Sequence, residues 1–439
     1  MTIAVVALTA TAAAAADEPD ETPDWWRNLR LRGRLAEAFA YRLHDPGDVS
    51  KLMTTAWLDG KYSFSDRVNL RVGTRTWYDA VFNVTDRYPD NVEHDQKFEF
   101  DLREALLSIS REELDVRIGR QQIVWGEAIS AFIADIVNPK DFREFILPDY
   151  TEIRIPIWAL DFTYRLAPGL NFEGVWTPDT RFNKFPKAGA EFEFAPPAYR
   201  FTQPVIRLPD NPAEFSVERS EGGFRLSYLV NGWDLALIYY DQADKFPVLF
   251  QKRLPQASGP DVIALQPEHP RLHIVGATLS KSIEPIVIRS EFTLTLGKTY
   301  ETTNPAVISG VKQRDTIDYL IGVDYTFSET VDVSLQLIQK ILLGPVDQSL
   351  ARGAVQGKVT TSAALRVATG FFDNTLNPTV LFVIDANRGD FRMSPRLDYL
   401  MSDAVTLSAG LDIFEGPRNT LWGQFDSNDR FWFTATFKF

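Results

Sequence analysis

The chain has 439 residues, and its 46 basic and 59 acidic side chains give a formal net charge of −13. This charge argues against a nucleic-acid partner, because phosphates would be repelled. Cysteine is absent, which excludes a disulfide framework, a structural zinc site, an iron–sulfur cluster and a cysteine-linked haem. Beyond the N-terminus, no apolar run approaches the roughly 18 residues that a membrane-spanning helix needs.

The chain begins with a small, apolar stretch that we interpret as an export signal. Ala14-Ala15-Ala16 fits the small-residue cleavage rule, although a basic start is missing, so residues 1–16 are assigned as a signal-peptide remnant. Residues 17–26 are acidic and contain proline, and they are assigned as a short periplasmic lead. Residues 27–439 are predicted to form a single domain.

Most of this domain alternates between apolar and polar residues with a period of two. Val405, Leu407 and Ile413 share one parity. Ser408 and Asp412 take the other. Because side chains alternate across a strand, each such segment has one apolar and one polar face. The alternation slips after Leu35, after Leu102 and near Gly119, which indicates β-bulges.

Short turns and long connections alternate between these segments. Counting the hairpins gives about 18 strands with both ends on the short-turn side, the asymmetry of outer-membrane barrels. The sequence therefore predicts an all-β fold, a transmembrane antiparallel β-barrel with short periplasmic turns and long outer loops. A soluble sandwich does not require this alternation, and no propeller-type repeat is visible. The longer connections are residues 81–97, 126–155, 178–220, 242–268, 299–313, 344–355 and 415–428.

Charged residues occupy the predicted inner face of the first five strands, so they should line one quadrant of the lumen. Crossed arginine–carboxylate pairs could simply stabilise a wet interior, or rings of charge could set selectivity. Both readings stay open. The predicted lumen residues are Arg30, Arg32, Arg34, Arg71, Arg75, Glu99, Asp101, Arg103, Asp115, Arg117 and Arg120.

The connection at 126–155 is too apolar for a freely solvated loop and too irregular for a strand. We expect Asn138-Pro139 to cap a helical turn that continues through Phe145. Apolar residues such as Phe142 and Phe145 must be buried, and the barrel lumen is the obvious place. The segment would then narrow or plug the pore.

This segment also carries charges that would face the remaining water path. The constriction candidates are Lys140, Asp141, Arg143 and Glu144. The two carboxylates, Asp141 and Glu144, are expected to pair with arginines of the opposing wall. The arginines expected to pair with them are Arg30, Arg32, Arg71 and Arg75.

The same region resembles a known family. The run GRQQIVWGE from Gly119, then DIVNPKDFREF from Asp135 and RIPIW from Arg154, is similar to a proteobacterial family of outer-membrane proteins named as a domain of unknown function. Its members are often encoded beside resistance–nodulation–division type transporters and a periplasmic lipoprotein-like partner. The resemblance implies an outer-membrane location, a role in transport and a periplasmic or inner-membrane transporter partner. The matching motif positions are Gly119, Arg120, Gln121, Gly126, Asn138, Pro139 and Asp141.

The last strand of the chain alternates and ends on phenylalanine. Phe433, Phe437 and Phe439 share one face, and such a strand resembles the assembly signal of Gram-negative outer-membrane proteins. We expect the barrel-assembly machinery to recognise these three residues. Outer-membrane lipid and lipopolysaccharide should then surround the outward face.

No catalytic constellation is evident among the four histidines. A hydrolytic barrel would need a serine and a histidine on one face, and only His273 lies in a predicted strand. Glu93, His94 and Asp95 are adjacent and could not converge well on one metal ion. We therefore predict no enzyme activity, no cofactor and no metal site.

The sequence leaves three functions open. The first is an outer-membrane channel or transporter for a hydrophobic or amphiphilic small molecule, constricted by residues 126–155. The second is a general diffusion porin for small polar solutes. The third is a structural barrel with a closed lumen. A through-going aqueous path would favour the porin, and an apolar lateral opening would favour the carrier of amphiphiles.

Overall fold

The structure is a computed structural model that describes residues 27–45, 47–194, 203–210, 215–302, 304, 306–328, 330–345 and 357–439. The predicted signal remnant (1–16) and periplasmic lead (17–26) lie outside the described residues. Among the residues that the structure describes, no helix is long and apolar enough to cross a membrane.

Strands account for most of the described chain. They are β1 (Leu29–Arg42), β2 (Val49–Ser65), β3 (Val68–Asp79), β4 (Phe98–Arg111), β5 (Leu114–Gln121), β6 (Ile157–Ala167), β7 (Leu170–Thr177), β8 (Val205–Arg207), β9 (Glu221–Val230), β10 (Trp233–Ala243), β11 (Val248–Leu254), β12 (Val262–Glu268), β13 (Arg271–Ile283), β14 (Ile286–Leu296), β15 (Thr299–Glu301), β16 (Val311–Gln313), β17 (Thr316–Ser328), β18 (Val331–Leu342), β19 (Val359–Thr369), β20 (Leu376–Asp385), β21 (Phe391–Leu400), β22 (Val405–Glu415) and β23 (Arg430–Lys438). The short helices are Val81–Val84, Asp90–Gln96 and Tyr150–Ile153, with a 3₁₀ turn at Gly423–Asn428.

Eighteen of these strands form one antiparallel sheet that closes on itself. Each barrel strand pairs with its neighbours along the chain, and β1 also pairs with β23 to close the barrel. The predicted barrel of about 18 strands is confirmed. β8, β11 and β12 form a small sheet in the long connections, and β15 pairs with β16 there. We call the two ends of the barrel the short-turn end and the long-loop end.

The alternation of the sequence separates the two faces of the wall. On β18, Leu335 and Leu337 are 56% and 42% exposed on the outside, whereas Gln336 between them is buried inside. On β22, Ser408 and Asp412 face inward, where Asp412 accepts a hydrogen bond from Arg430 on β23. Polar residues therefore line the lumen, as the alternation predicts.

Two of the three expected slips in the alternation are real. The pairing of β3 with β4 shifts opposite Arg103. Gly119 has a φ of 134°, and Arg117 and Arg120, which lie three residues apart, both reach inward to carboxylates. The pairing of β5 with β4 and β6 shows no register shift at Gly119, so only the slip after Leu102 is a bulge. Both slips bring additional charge into the lumen.

The slip expected after Leu35 is wrong. The pairing of β1 with β2 runs unbroken from Leu29 and shifts only after Ala40. The alternation looked interrupted because Glu37 is a polar residue on the outward face, where its carboxylate accepts a hydrogen bond from Thr54 Oγ1 at 2.8 Å. A polar residue on the lipid-facing side thus interrupts the alternation of the sequence in the same way as a bulge would.

Candidate channel lumen

The connection between β5 and β6 enters the barrel, and we call residues 122–156 the inner segment. Its backbone donates a hydrogen bond to Glu291 on β14 at 2.8 Å. Ser130 Oγ donates to Gln336 on β18 at 3.1 Å, and Arg392 on β21 donates to a backbone carbonyl of the segment at 3.0 Å. These three side chains point inward from one wall of the barrel.

The other wall holds the segment with ion pairs. Glu152 lies 2.8 Å from both Arg34 on β1 and Arg75 on β3. Glu144 pairs with Lys51 on β2. Because β1–β3 and β14–β21 lie on different sides of the closed barrel, the inner segment crosses the lumen from wall to wall.

Asn138 fastens the two ends of the segment together. Its Oδ1 accepts a hydrogen bond from the backbone N–H of Ile123 at 2.7 Å, and its Nδ2 donates to the carbonyls of Gln121 and Ile155 at 3.3 and 2.9 Å. The expected helical turn from Asn138 to Phe145 is wrong, because this side chain bridges the entry and exit of the segment instead of capping a helix.

A buried ion triad stiffens the segment beside this clamp. Asp135 lies 2.7 Å from Arg154 Nε and 3.4 Å from Lys140 Nζ, and all three side chains are at most 9% exposed. Burial lowers the pKa of the Lys140 ammonium, although Asp135 opposes this shift. The predicted constriction residue Lys140 therefore faces the interior of the segment and not the water path.

Two apolar clusters anchor the segment at opposite sides. Trp125 packs against Tyr240 on β10, with ring centroids 5.6 Å apart. Phe145 packs against Trp422 and Phe425 at 5.4 and 4.7 Å. Burying such rings is worth about 1.5–3 kcal/mol each, so these clusters outweigh the partly exposed ion pairs in holding the segment.

The connection after β7 contributes a second inner segment, residues 178–194. The backbone N–H of Lys184 donates to the Lys140 carbonyl at 2.9 Å, which ties the two segments together. Glu191 pairs with Arg42 on β1 at 2.7 Å, and Phe192 is 1% exposed in the cluster that holds Phe145. The sequence marked this stretch only as a long connection.

The predicted charges of β4 form a dense cluster against the segment. Asp101 lies 3.0–3.4 Å from three guanidinium groups, those of Arg75, Arg103 and Arg120. The side chain of Arg103 also donates to two carbonyls of the segment, those of residues 151 and 154. These residues therefore fasten the segment to the wall in addition to lining the lumen.

Asp141 and Glu144 do not pair with the arginines that we expected. Asp141 lies 2.6 Å from Arg143, which also reaches Glu99 on β4 at 2.6 Å. Burial disfavours the charged form of the Asp141 carboxyl, but the neighbouring Arg143 outweighs this effect and lowers the pKa of that carboxyl. The expectation failed because Asp141 already has a partner two residues away, and Lys51 lies nearer the long-loop end than Arg71 does.

Arg30, Arg32, Arg71 and Arg117 instead surround a separate cavity at the short-turn end of the lumen. Arg71 lies 2.7 Å from Asp59 and 2.9 Å from Glu104, and it does not touch the segment through any contact in the described chain. Arg117 pairs with Asp161. Asp115 lies exposed at the start of β5 and joins none of these clusters.

A larger cavity of about 810 Å³ lies between the inner segment and the walls formed by β1–β3 and β19–β23. Its lining mixes aromatic rings with guanidinium groups. Arg34 lies 3.6 Å above the centroid of the Trp57 ring, and Arg396 lies 5.7 Å from that of Trp432. The cavity therefore presents apolar and cationic surface side by side.

Several residues that line or shape the lumen were not predicted from the sequence. Glu152 was missed although it lies in the segment, because nothing local distinguishes it from other acidic loop residues. Lys51 and Glu191 lie in a strand and a connection that carried no motif. Asn138 did have a signal, as did Asp135 and Arg154, because all three belong to the motif by which the segment was identified.

Three of the four histidines lie beside a carboxylate in the described chain. His273 faces outward on β13, 3.2 Å from both Asp241 and Tyr239. His44 pairs with Asp429 at 3.1 Å. Among the described residues, no group of three or more histidine or acidic side chains could hold a metal ion.

The barrel shares its fold with solved outer-membrane proteins. OccAB1 of Acinetobacter baumannii matches with a TM-score of 0.55 and 9% identity over 94% of this chain and 97% of that chain. OccAB3 of the same organism gives 0.52 and 10%, covering 94% and 99%. OpdK of Pseudomonas aeruginosa, solved with vanillate, gives 0.51 and 10%, covering 94% and 99%. The chain thus has the fold class of the outer-membrane β-barrels.

Within this class the family is also defined. A family model described as a protein of unknown function, DUF1302, matches residues 1–414, and the chain belongs to this family. The resemblance of the segment around Gly119 and Asn138 is therefore confirmed. No curated protein matches the sequence. Proximity to transporter genes stays a prediction.

Proposed function

We propose that the protein is an outer-membrane channel or transporter that passes amphiphilic small molecules beside the inner segment. The observation that carries this proposal is the cavity of about 810 Å³, a size typical of small-molecule sites. An amphiphile can place its apolar body on Trp57 and Trp432 and its charged group on the adjacent arginines. The similar barrel OpdK was solved with vanillate, an aromatic carboxylate of this chemical type.

An unpaired strand edge in the barrel wall favours an amphiphile over a purely polar solute. β5 ends at Gln121, and its pairing with β4 stops at Ala105. On the edge of β4 that faces β5, residues 98–104 therefore have no strand partner in the described chain. Phe98 and Phe100 point outward from this stretch and are 61% and 63% exposed. Apolar rings beside an unpaired strand edge suit a solute that moves between the lumen and the lipid.

The test is deletion of residues 128–147, with solute uptake measured in liposomes and conductance in planar bilayers. The parent should admit benzoate faster than a sugar of similar size. The deletion removes Phe145 and the hydrogen bonds that Ile129 N–H and Ser130 Oγ donate to Gln336. It should therefore raise conductance several-fold and abolish the preference for benzoate. Deletion of residues 256–259, an exposed turn outside both cavities, is the matched control and should change neither property.

Other outcomes would favour the alternative functions. Equal uptake of benzoate and sugar by the parent would indicate a general diffusion porin. No uptake by the parent, together with no gain after the deletion, would indicate a structural barrel with a closed lumen. A folded deletion variant with the conductance of the parent would show that the inner segment does not restrict the pore.

A further inference from the structure

The cavity at the short-turn end of the lumen is strongly basic, and we call it the basic vestibule. Its volume is about 510 Å³, and five cationic side chains line it beside one carboxylate. The charged lining residues are Arg30, Arg32, Lys61, Arg71, Arg117 and Asp59. The short-turn end of an outer-membrane barrel faces the periplasm.

Three of these cations stand in one row across the wall. Lys61 on β2 is the register partner of Arg30 on β1 and also of Arg71 on β3. Directly opposed side chains in an antiparallel sheet have Cβ atoms about 4.5–5.5 Å apart, and like charges there are destabilising. The fold therefore maintains an arrangement that is unfavourable for the empty protein.

The carboxylates near the vestibule do not neutralise this row. Asp59 and Glu104 both pair with Arg71, 2.7 and 2.9 Å from its Nε, and among the described residues they leave the other two cations of the row unpaired. Arg30 and Lys61 form no ion pair with any carboxylate of the described chain. At least two cations of the row are therefore available to a ligand.

A second excess of positive charge lies further into the lumen on the same wall. Arg75 follows Arg71 by four residues on β3, a separation of about 13 Å along the strand. Around Asp101, the three guanidinium groups of Arg75, Arg103 and Arg120 meet one shared carboxylate, and Arg75 also pairs with Glu152. The Nε atoms of Arg75 and Arg120 are nevertheless buried with no hydrogen-bond partner in the described chain. Buried donors without acceptors are costly, and an anion would satisfy them.

We propose that the basic vestibule binds the anionic group of the transported molecule, an organic carboxylate, and makes the channel selective for anions. This inference rests on the proposed function and specifies its substrate class. A carboxylate between Arg30 and Lys61, the two unpaired cations of the row, relieves their mutual repulsion and accepts charge-assisted hydrogen bonds. The Asp101 cluster extends the same positive surface toward the larger cavity, so that an anion meets donors along the whole wall.

The test reverses the charge in the middle of the row. The reversal potential in a KCl gradient should show that the parent prefers chloride to potassium, and Lys61→Glu should lower this permeability ratio several-fold. Lys61→Gln should lower it less. Arg67→Glu makes the same charge change in the exposed turn between β2 and β3, outside the vestibule, and should leave the ratio unchanged.

Folding supplies an independent readout. The Lys61→Glu substitution replaces the central cation of the row with a carboxylate that can pair with Arg30. The variant barrel should therefore resist heat in detergent at least as well as the parent. A less heat-resistant variant would contradict the inferred repulsion in the row. This measurement does not depend on transport.

The outcomes separate this inference from the proposed function. A parent that conducts without preferring anions overturns the inference and leaves the channel intact. A parent that does not conduct overturns the channel, and benzoate binding at low salt, measured by calorimetry, then decides whether the vestibule is an anion site. Binding that is lost in Lys61→Glu but kept in Arg67→Glu supports the site, and equal binding by all three proteins overturns it.

Discussion

Glu144 and Glu152 are the carboxylates that join the inner segment to the β1–β3 wall. Burial favours the neutral form of Glu152, but Arg75 and Arg34 outweigh it and lower the pKa of this carboxyl. The pKa of Glu144 is lowered in the same way, against burial, by Lys51. At their partial exposure, each of these pairs contributes about 0.5–1 kcal/mol.

The segment should therefore loosen in acid. Because the folded-state pKa of both carboxyls lies below the ordinary value of 4.5, their contribution is complete above that pH and is lost as the pH falls through the folded value. Conductance should rise as the pH drops below about 4.5. The Glu144→Gln, Glu152→Gln double variant should show raised conductance already at pH 7 and little further change.

Glu113→Gln is the control, because Glu113 lies exposed in the turn between β4 and β5. It should keep the acid response of the parent. An unchanged pH profile in the double variant would mean that these two carboxylates do not hold the segment.

Phe439 completes the seam between the first and last strands. Its backbone exchanges two hydrogen bonds with Gly33, at 2.8 and 3.0 Å, and its ring occupies the space that a Cβ at position 33 would need. Phe433 and Phe437 pair across the same seam with strand β1. Recognition of these three residues by the assembly machinery stays a prediction.

Phe439→Ala should weaken this seam. The lost ring contacts, including the stacking on Phe437 at 5.8 Å, are worth about 0.5–1.5 kcal/mol, so the folded fraction should fall. The heat-modifiable mobility of the barrel on detergent gels measures that fraction. Phe64→Ala removes another outward phenylalanine at the same end, away from the seam, and should have a smaller effect. Equal losses would show that the seam gives Phe439 no special role.

At the scale of the element, Gly119 determines how β5 presents its arginines. Its φ of 134° is a conformation that other residues rarely adopt, and a Cβ there would lie 2.0 Å from the Ala105 carbonyl oxygen. This backbone lets both Arg117 and Arg120 reach the lumen. A regular strand would turn one of them toward lipid.

Gly119→Ala should therefore destabilise the barrel by at least the 1–3 kcal/mol typical of a strained backbone, about 2 kcal/mol or more once the clash is included. Thermal unfolding in detergent measures this loss. Gly389→Ala is the matched control, since Gly389 also has a positive φ, 77°, but no atom lies near its added Cβ. Comparable losses in the two variants would show that strain alone, and not the contact with β4, restricts position 119.

At the scale of the whole molecule, the wall of the barrel is a single sheet, with lipid on its outer face and water on its inner face. Val380 faces outward near the middle of β20 and is 38% exposed, whereas its neighbour Thr379 lines the larger cavity. Val380→Arg should cost about 2–4 kcal/mol, because a charge near the bilayer midplane is poorly solvated. Thr379→Arg should cost much less, since it faces water.

Unfolding in lipid vesicles compares the two substitutions directly. Similar losses of stability would mean that β20 is not a one-sided barrel strand or that its register differs by one residue.

The sequence alone determined the closed barrel, the approximate positions of its strands and which face of most strands is polar. These features follow from alternation, which is local, because each strand between lipid and water must place apolar and polar side chains on opposite faces. The sequence also predicted that the connection at 126–155 is buried in the barrel, since Phe142 and Phe145 needed an apolar environment.

The tertiary structure decided which charges meet. The pairing of Glu152 with Arg34 depends on the path of the inner segment across the lumen, and the row through Lys61 depends on the register of three strands. Neither can be read from one strand at a time, because shifting a strand by two residues keeps every side chain on its own face and changes every partner. Alternation therefore specifies the face of a residue, and only the closed barrel specifies its neighbour.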